Sequence, residues 1–150
     1  TGDIIMILDA DMTVPPEELV DFYDALENRA ADFANGTRFL YPMEAQAMRL
    51  ANFIGNRLFS KLVEIIVGYE CSDTLCGTKA MKRNDFAGFK LEDASWGDFD
   101  FIFHASKHKL KCVEVPVHYK NRTAGKSKMK SISAGMIFLK VCLKKWRELP

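Results

Sequence analysis

The chain lacks several of the features that most quickly narrow a protein's role. Its four cysteines, Cys71, Cys76, Cys112 and Cys142, show no C-x-x-C spacing and no local histidine partner. That argues against a zinc site or a disulfide framework, and for free thiols in a reducing compartment. No apolar run approaches the roughly 20 residues a membrane-spanning helix needs, and no secretory leader stands at the front. There is no internal repeat and no low-complexity tract. Charge nearly cancels, with 21 Lys and Arg against 20 Asp and Glu, so nothing pulls the chain as a whole toward nucleic acid. An initiator Met is missing too. The sequence opens Thr1-Gly2-Asp3 directly ahead of an apolar run, which reads as a piece of a longer protein.

What is present is ordinary for a globular domain: 150 residues, 48% hydrophobic and 27% charged, enough to bury a core. The charge is unevenly placed, acidic in the first thirty residues and basic in the last thirty-odd. The most informative stretch is Ile4-Ile5-Met6-Ile7-Leu8-Asp9-Ala10-Asp11-Met12-Thr13-Val14-Pro15-Pro16. Five apolar residues predict a buried strand, and two carboxylates one residue apart share a side if the extension persists. Two prolines stop the strand, and Glu17 and Glu18 open a helix. A strand that delivers paired carboxylates to its carboxyl end, just before a helix, fits a ligand site in an open α/β sheet. Carboxylate oxygens are the hard ligands that Mg²⁺ or Mn²⁺ prefers, commonly shared with substrate phosphates. The residues themselves therefore point to a metal-assisted diphosphate site.

Further along, Pro15 to Asn28 predicts a helix with Leu19, Val20, Phe22, Tyr23 and Leu26 as its apolar stripe. Ala31 to Ala34 predicts a second strand ending at Asn35-Gly36-Thr37-Arg38, where the Asn-Gly pair marks a turn. Glu44 to Val67 predicts a long helix with apolar residues on more than one face, either sandwiched or meeting something greasy outside. Ser72 to Arg83 is a loop feeding a strand, and Asp85 to Ser95 a loop or short helix. Phe99 to His108 suits a buried helix capped by Asp98, and Lys111 to Tyr119 a strand placed at an edge by Pro116. Asn121 to Ser131 is a basic loop of small residues. Ile132 to Trp146 is a basic amphipathic helix that suits either an anionic membrane surface or docking on the core.

Three readings of the carboxylate pair stand side by side. Apolar residues followed by Asp-x-Asp-x-Thr resemble the first motif of haloacid-dehalogenase-type phosphatases, with Asp9 as nucleophile. That family needs a later acidic motif, and Gly97-Asp98-Phe99-Asp100 places its second Asp too early. A purely structural pair that caps the next helix is the second reading, while a non-enzymatic membrane-surface module built on the basic tail helix is a rival for the chain as a whole. The full ordered set favours a transferase: Asp9-Ala10-Asp11-Met12-Thr13-Val14-Pro15-Pro16, Asn35-Gly36-Thr37-Arg38, Ser72-Asp73-Thr74 to Lys82-Arg83, Gly97-Asp98-Phe99-Asp100, and Glu114-Val115-Pro116-Val117 to Asn121-Arg122-Thr123-Ala124-Gly125-Lys126-Ser127-Lys128. Together these resemble the inverting family 2 glycosyltransferases of GT-A fold, in particular the dolichyl-phosphate mannosyltransferase (polyprenyl-phosphate glycosyltransferase) branch.

The resemblance implies an α/β chain: a partial GT-A, Rossmann-like sheet with flanking helices and a C-terminal amphipathic helix over 131–148. Residues 1–150 would be the carboxyl-terminal two-thirds of one catalytic domain. The nucleotide-binding β-α-β unit that relatives place before the first strand is absent, so weak donor binding is expected of these residues alone. Asp9 and Asp11 would hold Mg²⁺ or Mn²⁺ on a nucleotide-sugar diphosphate. Arg38, Arg122, Ser127 and Lys128 would bind substrate, with the basic loop closing over the donor. Asp98 or Asp100 would be the catalytic carboxylate. The partners implied are a nucleotide-sugar donor, a lipid-phosphate acceptor and a peripheral membrane contact at the cytoplasmic face, without nucleic acid. Departures such as Val14 before the proline pair, Thr13, Cys76 and Lys126 leave the reaction class alone and leave substrate choice open. The Gln-x-x-Arg-Trp signature of processive synthases is missing, which favours transfer of a single sugar.

Overall fold

The structure is a computed structural model that describes residues 2–43, 48–91, 97–121 and 131–147. Four strands form one mixed sheet in the order β1-β3-β2-β4: β1 is Ile4–Ile7, β2 Phe33–Thr37, β3 Lys79–Lys82 and β4 Cys112–Pro116. The helices are α1 (Leu19–Glu27), α2 (Leu50–Val67), α3 (Gly97–Lys107) and α4 (Ser131–Trp146), with one 3₁₀ turn at Pro16–Glu18. This is the α/β architecture of a partial GT-A fold. The sheet is not purely parallel, because β3 runs against both neighbours while β2 and β4 run together.

Strand residues alternate between two cores, as a two-residue period requires. Phe33 and Met81 enter a cluster with Val63 and Val67 of α2, Phe99, Ile102 and Phe103 of α3, and Phe138 and Cys142 of α4. Ala34, Ala80, Val115 and Val117 face the other way, onto Phe22, Ala25 and Leu26 of α1. Small alanines on that face let one short helix lie close to the strands. All four thiols are free.

Several expectations change. β1 is half-buried rather than dry, with Ile5 exposed, because among the described residues it sits at the sheet edge with β3 as its single neighbour. β4 takes the opposite edge, where a proline at its end costs no ladder bond. The Asn35-Gly36 pair makes no turn; it lies inside β2, fully paired. Glycine is needed there for approach rather than for bending. A Cβ on Gly36 would meet Cys76 Sγ at 2.7 Å and the Thr78 carbonyl at 2.9 Å. Gly36→Ala is therefore expected to cost about 1–3 kcal/mol in denaturant unfolding, through overpacking.

Helix α2 begins at Leu50, with Arg49 in extended backbone ahead of it, and Gly68 ends it in the left-handed conformation. The sandwiched reading holds for part of its surface. Asn56, Ser60, Val63 and Val67 face inward, whereas Leu50, Ile54, Leu58 and Ile65 form a stripe 50–73% exposed. Helix α4 docks on α2 and α3 by Phe138, whose ring meets Phe59 edge-on at 5.6 Å and Phe99 at 5.0 Å. It leaves Met136, Leu139, Leu143 and Trp146 exposed beside Lys140, Lys144 and Arg147. Among the described residues no helix is long and apolar enough to cross a membrane.

Candidate active site

Because β1, β2 and β4 point one way and β3 the other, the ends of three strands and the start of the fourth gather at one edge. Asp9 follows β1, Arg38 follows β2, Val117 follows β4, and Lys79 opens β3. This is where an open α/β sheet holds its ligands.

The extension expected to carry Asp9 and Asp11 ends at Ile7. Residues 9–12 turn instead, closed by the Met12 amide on the Asp9 carbonyl at 3.2 Å. Met12 sits at a φ of +53°, a left-handed conformation that costs a non-glycine residue about 1–2 kcal/mol. Asp11 Oδ1 accepts the Thr13 amide at 3.2 Å and the Thr13 hydroxyl at 2.9 Å, which fixes the turn before the two prolines. The tight turn still brings the carboxylates together. Asp9 keeps one edge open to solvent, yet its pKa is pushed up, first by the packing around it and then by the charges of Asp98 and Asp11; Lys79 and Arg38 only partly offset these.

Helix phase separates the two aspartates of α3. Asp98 points to the gathered strand ends, where its Oδ1 takes Lys79 Nζ at 2.9 Å, so it serves this pair within the helix rather than as its cap. Asp100, two residues on and so about 200° round the helix, is buried against Lys145 of α4 at 3.4 Å. Only Asp98 joins the acidic cluster. Lys79 itself is fully buried and also donates to the Cys76 carbonyl. Asp98 is thus paired with Lys79, and Asp9 feels the charges of both Lys79 and Arg38.

Arg38 lies just beneath. Its Nε and one terminal nitrogen bind both oxygens of Asp73, at 2.6 and 2.7 Å, and its guanidinium stacks over the Tyr119 ring at 5.0 Å. Asp73 is fully buried and also accepts the Arg38 amide, Asn56 Nδ2 and the Leu75 amide. Burial works against both charges, but each holds the other ionised: the Asp73 carboxyl stays below its usual range and Arg38 above its own. The fork expected to meet substrate is engaged here with Asp73.

Arg122, Ser127 and Lys128 lie outside the described residues. The chain leading to them passes the acidic turn, since the Lys120 amide donates to the Thr13 carbonyl at 2.9 Å.

The ends of β1 and β2 and the start of β3 lie within a stretch that has relatives. The family model for glycosyl transferase family 2 matches residues 1–89, more than half of the sequence. The chain belongs to glycosyl transferase family 2. Among curated proteins it is 28% identical over 122 residues to glycosyltransferase AglJ of Haloferax volcanii, covering 81% of this chain and 40% of that one. It is 26% identical over 137 residues to dolichol-phosphate mannosyltransferase of Pyrococcus furiosus (87% and 37%). It is 24% identical over 123 residues to UDP-N-acetylglucosamine–dolichyl-phosphate N-acetylglucosaminyltransferase of Methanococcus voltae (77% and 47%). The chain thus spans less than half the length of these relatives. Family 2 membership sides with the transferase reading of the Asp pair against the phosphatase one.

For a divalent ion, the donor set of this family 2 chain fits in part. Asp9 and Asp11 supply hard oxygens, and the Asp9 carboxyl is pushed up first by the packing around it and then by the neighbouring Asp98 and Asp11 charges. No group of three or more His, Cys, Asp or Glu side chains among the described residues makes a ready cage. Two carboxylates alone would leave the remaining positions of a Mg²⁺ ion to water and phosphate oxygens. Sequence reasoning missed Lys79, Asp73 and Gly77. A Cβ on Gly77 would fall on the Asp9 carboxylate itself. Gly77→Ala is expected to swing the Asp9 carboxylate aside; if Asp9 holds the ion, Mn²⁺ affinity of the full-length protein, titrated with a nucleoside diphosphate present, should fall about tenfold while the melting temperature barely moves.

Proposed function

We propose that residues 1–150 form the carboxyl-terminal two-thirds of a glycosyltransferase catalytic domain. The enzyme moves one sugar, with inversion, from a nucleotide-sugar donor to a polyprenyl phosphate. The observation that carries this is the gathering of Asp9, Asp11 and Asp98 at the strand ends, with Asp98 paired to the buried Lys79. Two of the relatives are named for transfer to dolichol or dolichyl phosphate, which supports the acceptor class.

Asp9 and Asp11 would hold Mg²⁺ or Mn²⁺, whose contribution is to offset charge on the departing nucleoside diphosphate. An acceptor oxygen bonds to the anomeric carbon from the face opposite the diphosphate, and the bond to that diphosphate breaks, which inverts the centre. A lipid phosphate is already anionic and needs no base. Asp98, held by Lys79, then orients the sugar or the acceptor; with a hydroxyl acceptor it would take the proton. Arg122, Ser127 and Lys128 are assigned to phosphate oxygens, for which the arginine fork is well matched. Asp100, committed to Lys145, is left out of the chemistry. The exposed apolar residues of α4 beside Lys140, Lys144 and Arg147, with the stripe on α2, support contact with an anionic membrane at its cytoplasmic face.

The test is sugar transfer to a short-chain polyprenyl phosphate by the full-length protein. Transfer should vanish in chelator and return with Mg²⁺ or Mn²⁺. Undiminished transfer in chelator, or phosphomonoester hydrolysis in place of transfer, overturns the reading.

A further inference from the structure

Beside the acidic turn, three chain segments meet through residues that the reaction above does not use. Glu18, in the 3₁₀ turn, accepts two bonds from His118: the backbone amide to Oε2 and the imidazole Nδ1 to Oε1, both 2.9 Å. The imidazole lies flat on the Tyr41 ring, with centroids 4.2 Å apart and planes 9° apart. Tyr41 belongs to the connection after β2, and His118 to the exit of β4.

Local chemistry explains why the contact is specific. Pro15 and Pro16 fix the backbone that presents Glu18, and Pro16 opens the 3₁₀ turn. Past Pro116 three amides of the β4 exit find acceptors: Val117 on the Thr37 carbonyl, His118 on Glu18, and Lys120 on the Thr13 carbonyl. The middle bond is the only one of the three with a charged acceptor, and such bonds are the stronger kind. The Glu18 side chain is 16% exposed and His118 56%, so the carboxylate is mostly covered while one face of the imidazole stays open.

We infer that Glu18, His118 and Tyr41 form a clasp that fixes the exit of β4 against the acidic turn and sets where Lys120 leaves the sheet. They are positioning residues. Their bearing on catalysis rests on the transferase reading; the clasp itself does not.

The test uses the full-length protein with Glu18→Ala, Glu18→Gln and Tyr41→Ala. Amide exchange at His118 and Lys120 should speed up about tenfold in Glu18→Ala, the size expected for one charge-assisted bond. It should recover partly in Glu18→Gln, which keeps an acceptor oxygen, and stay unchanged at Lys82, whose amide is held by Asp32. In transfer assays the donor KM should rise about tenfold in Glu18→Ala with kcat within a few-fold, and recover in Glu18→Gln. Unchanged exchange at Lys120 in both Glu18→Ala and Tyr41→Ala overturns the clasp. Faster exchange with an unmoved KM overturns its positioning role. If the wild type transfers no sugar, the transferase reading has failed, and the exchange result alone decides the clasp.

Discussion

Asp73→Ala is expected to remove about 3–5 kcal/mol of stability, the cost of stripping one partner from a buried ion pair. The carboxylate has no exposure and receives five bonds, from Arg38 Nε, a terminal Arg38 nitrogen, the Arg38 amide, Asn56 Nδ2 and the Leu75 amide. It ties the end of β2, the middle of α2 and the 72–75 loop into one unit. Alanine leaves the Arg38 guanidinium buried and unmatched, along with an amide nitrogen of Asn56. Urea unfolding measures the loss, and a drop below about 1 kcal/mol, the level of an exposed pair, would refute this account. The pH dependence carries its own sign. The folded carboxyl is held below the ordinary value of about 3.9, so its stabilisation is present above that pH and is lost as pH falls through the lower folded value. The wild type should therefore lose stability in acid more steeply than Asp73→Ala. Replacing both partners, Asp73→Leu with Arg38→Met, should recover much of the loss, since no charge is then left stranded.

That network also marks where the sequence stops being readable. The elements were legible because their causes are local. Apolar runs, proline and glycine punctuation and the stripe of α1 lie within a few residues of what they determine, and the strand and helix order follows from them. The Asp9-x-Asp11 pair and its place after a strand were legible for the same reason. Asn35-Gly36 misleads because its local signal is a turn, while the actual demand comes from Cys76 and Thr78, some forty residues away. Lys79 alternates in Lys-Ala-Met-Lys like any surface lysine, yet it is buried, and its ion pair with Asp98 comes from a helix 19 residues on. Arg38 reads as a phosphate ligand until Asp73, 35 residues on, occupies its fork. Choosing between Asp98 and Asp100 needed the phase of a helix whose start no local signal fixed. In each case the missing information was a distant partner rather than a weak propensity.

Asp9→Asn should separate function from stability in opposite directions. Transfer is expected to fall about 10³-fold, because losing a ligand to an ion that offsets diphosphate charge forfeits several kcal/mol of transition-state stabilisation. Stability should not fall with it. Packing around the carboxylate, then Asp98, then Asp11 raise the Asp9 pKa in the folded state. A raised carboxyl favours folding below the unfolded value of about 3.9, and that contribution is lost as pH rises through the higher folded value. At neutral pH the ionised Asp9 is therefore a cost that the amide avoids. In chelator at pH 7 the melting temperature of Asp9→Asn should equal or exceed that of the wild type, and the two should converge in acid. Adding Mg²⁺ or Mn²⁺ with a nucleoside diphosphate should then raise the wild-type melting temperature and leave the variant where it was, because only a protein that binds the ion gains from mass action. A site that spends stability on clustered carboxylates has this signature, and a merely structural aspartate pair has the reverse: its amide variant melts lower in chelator and keeps its response to the ion. Either of those results, or transfer retained above about a tenth of wild type, would remove the acidic turn from the chemistry.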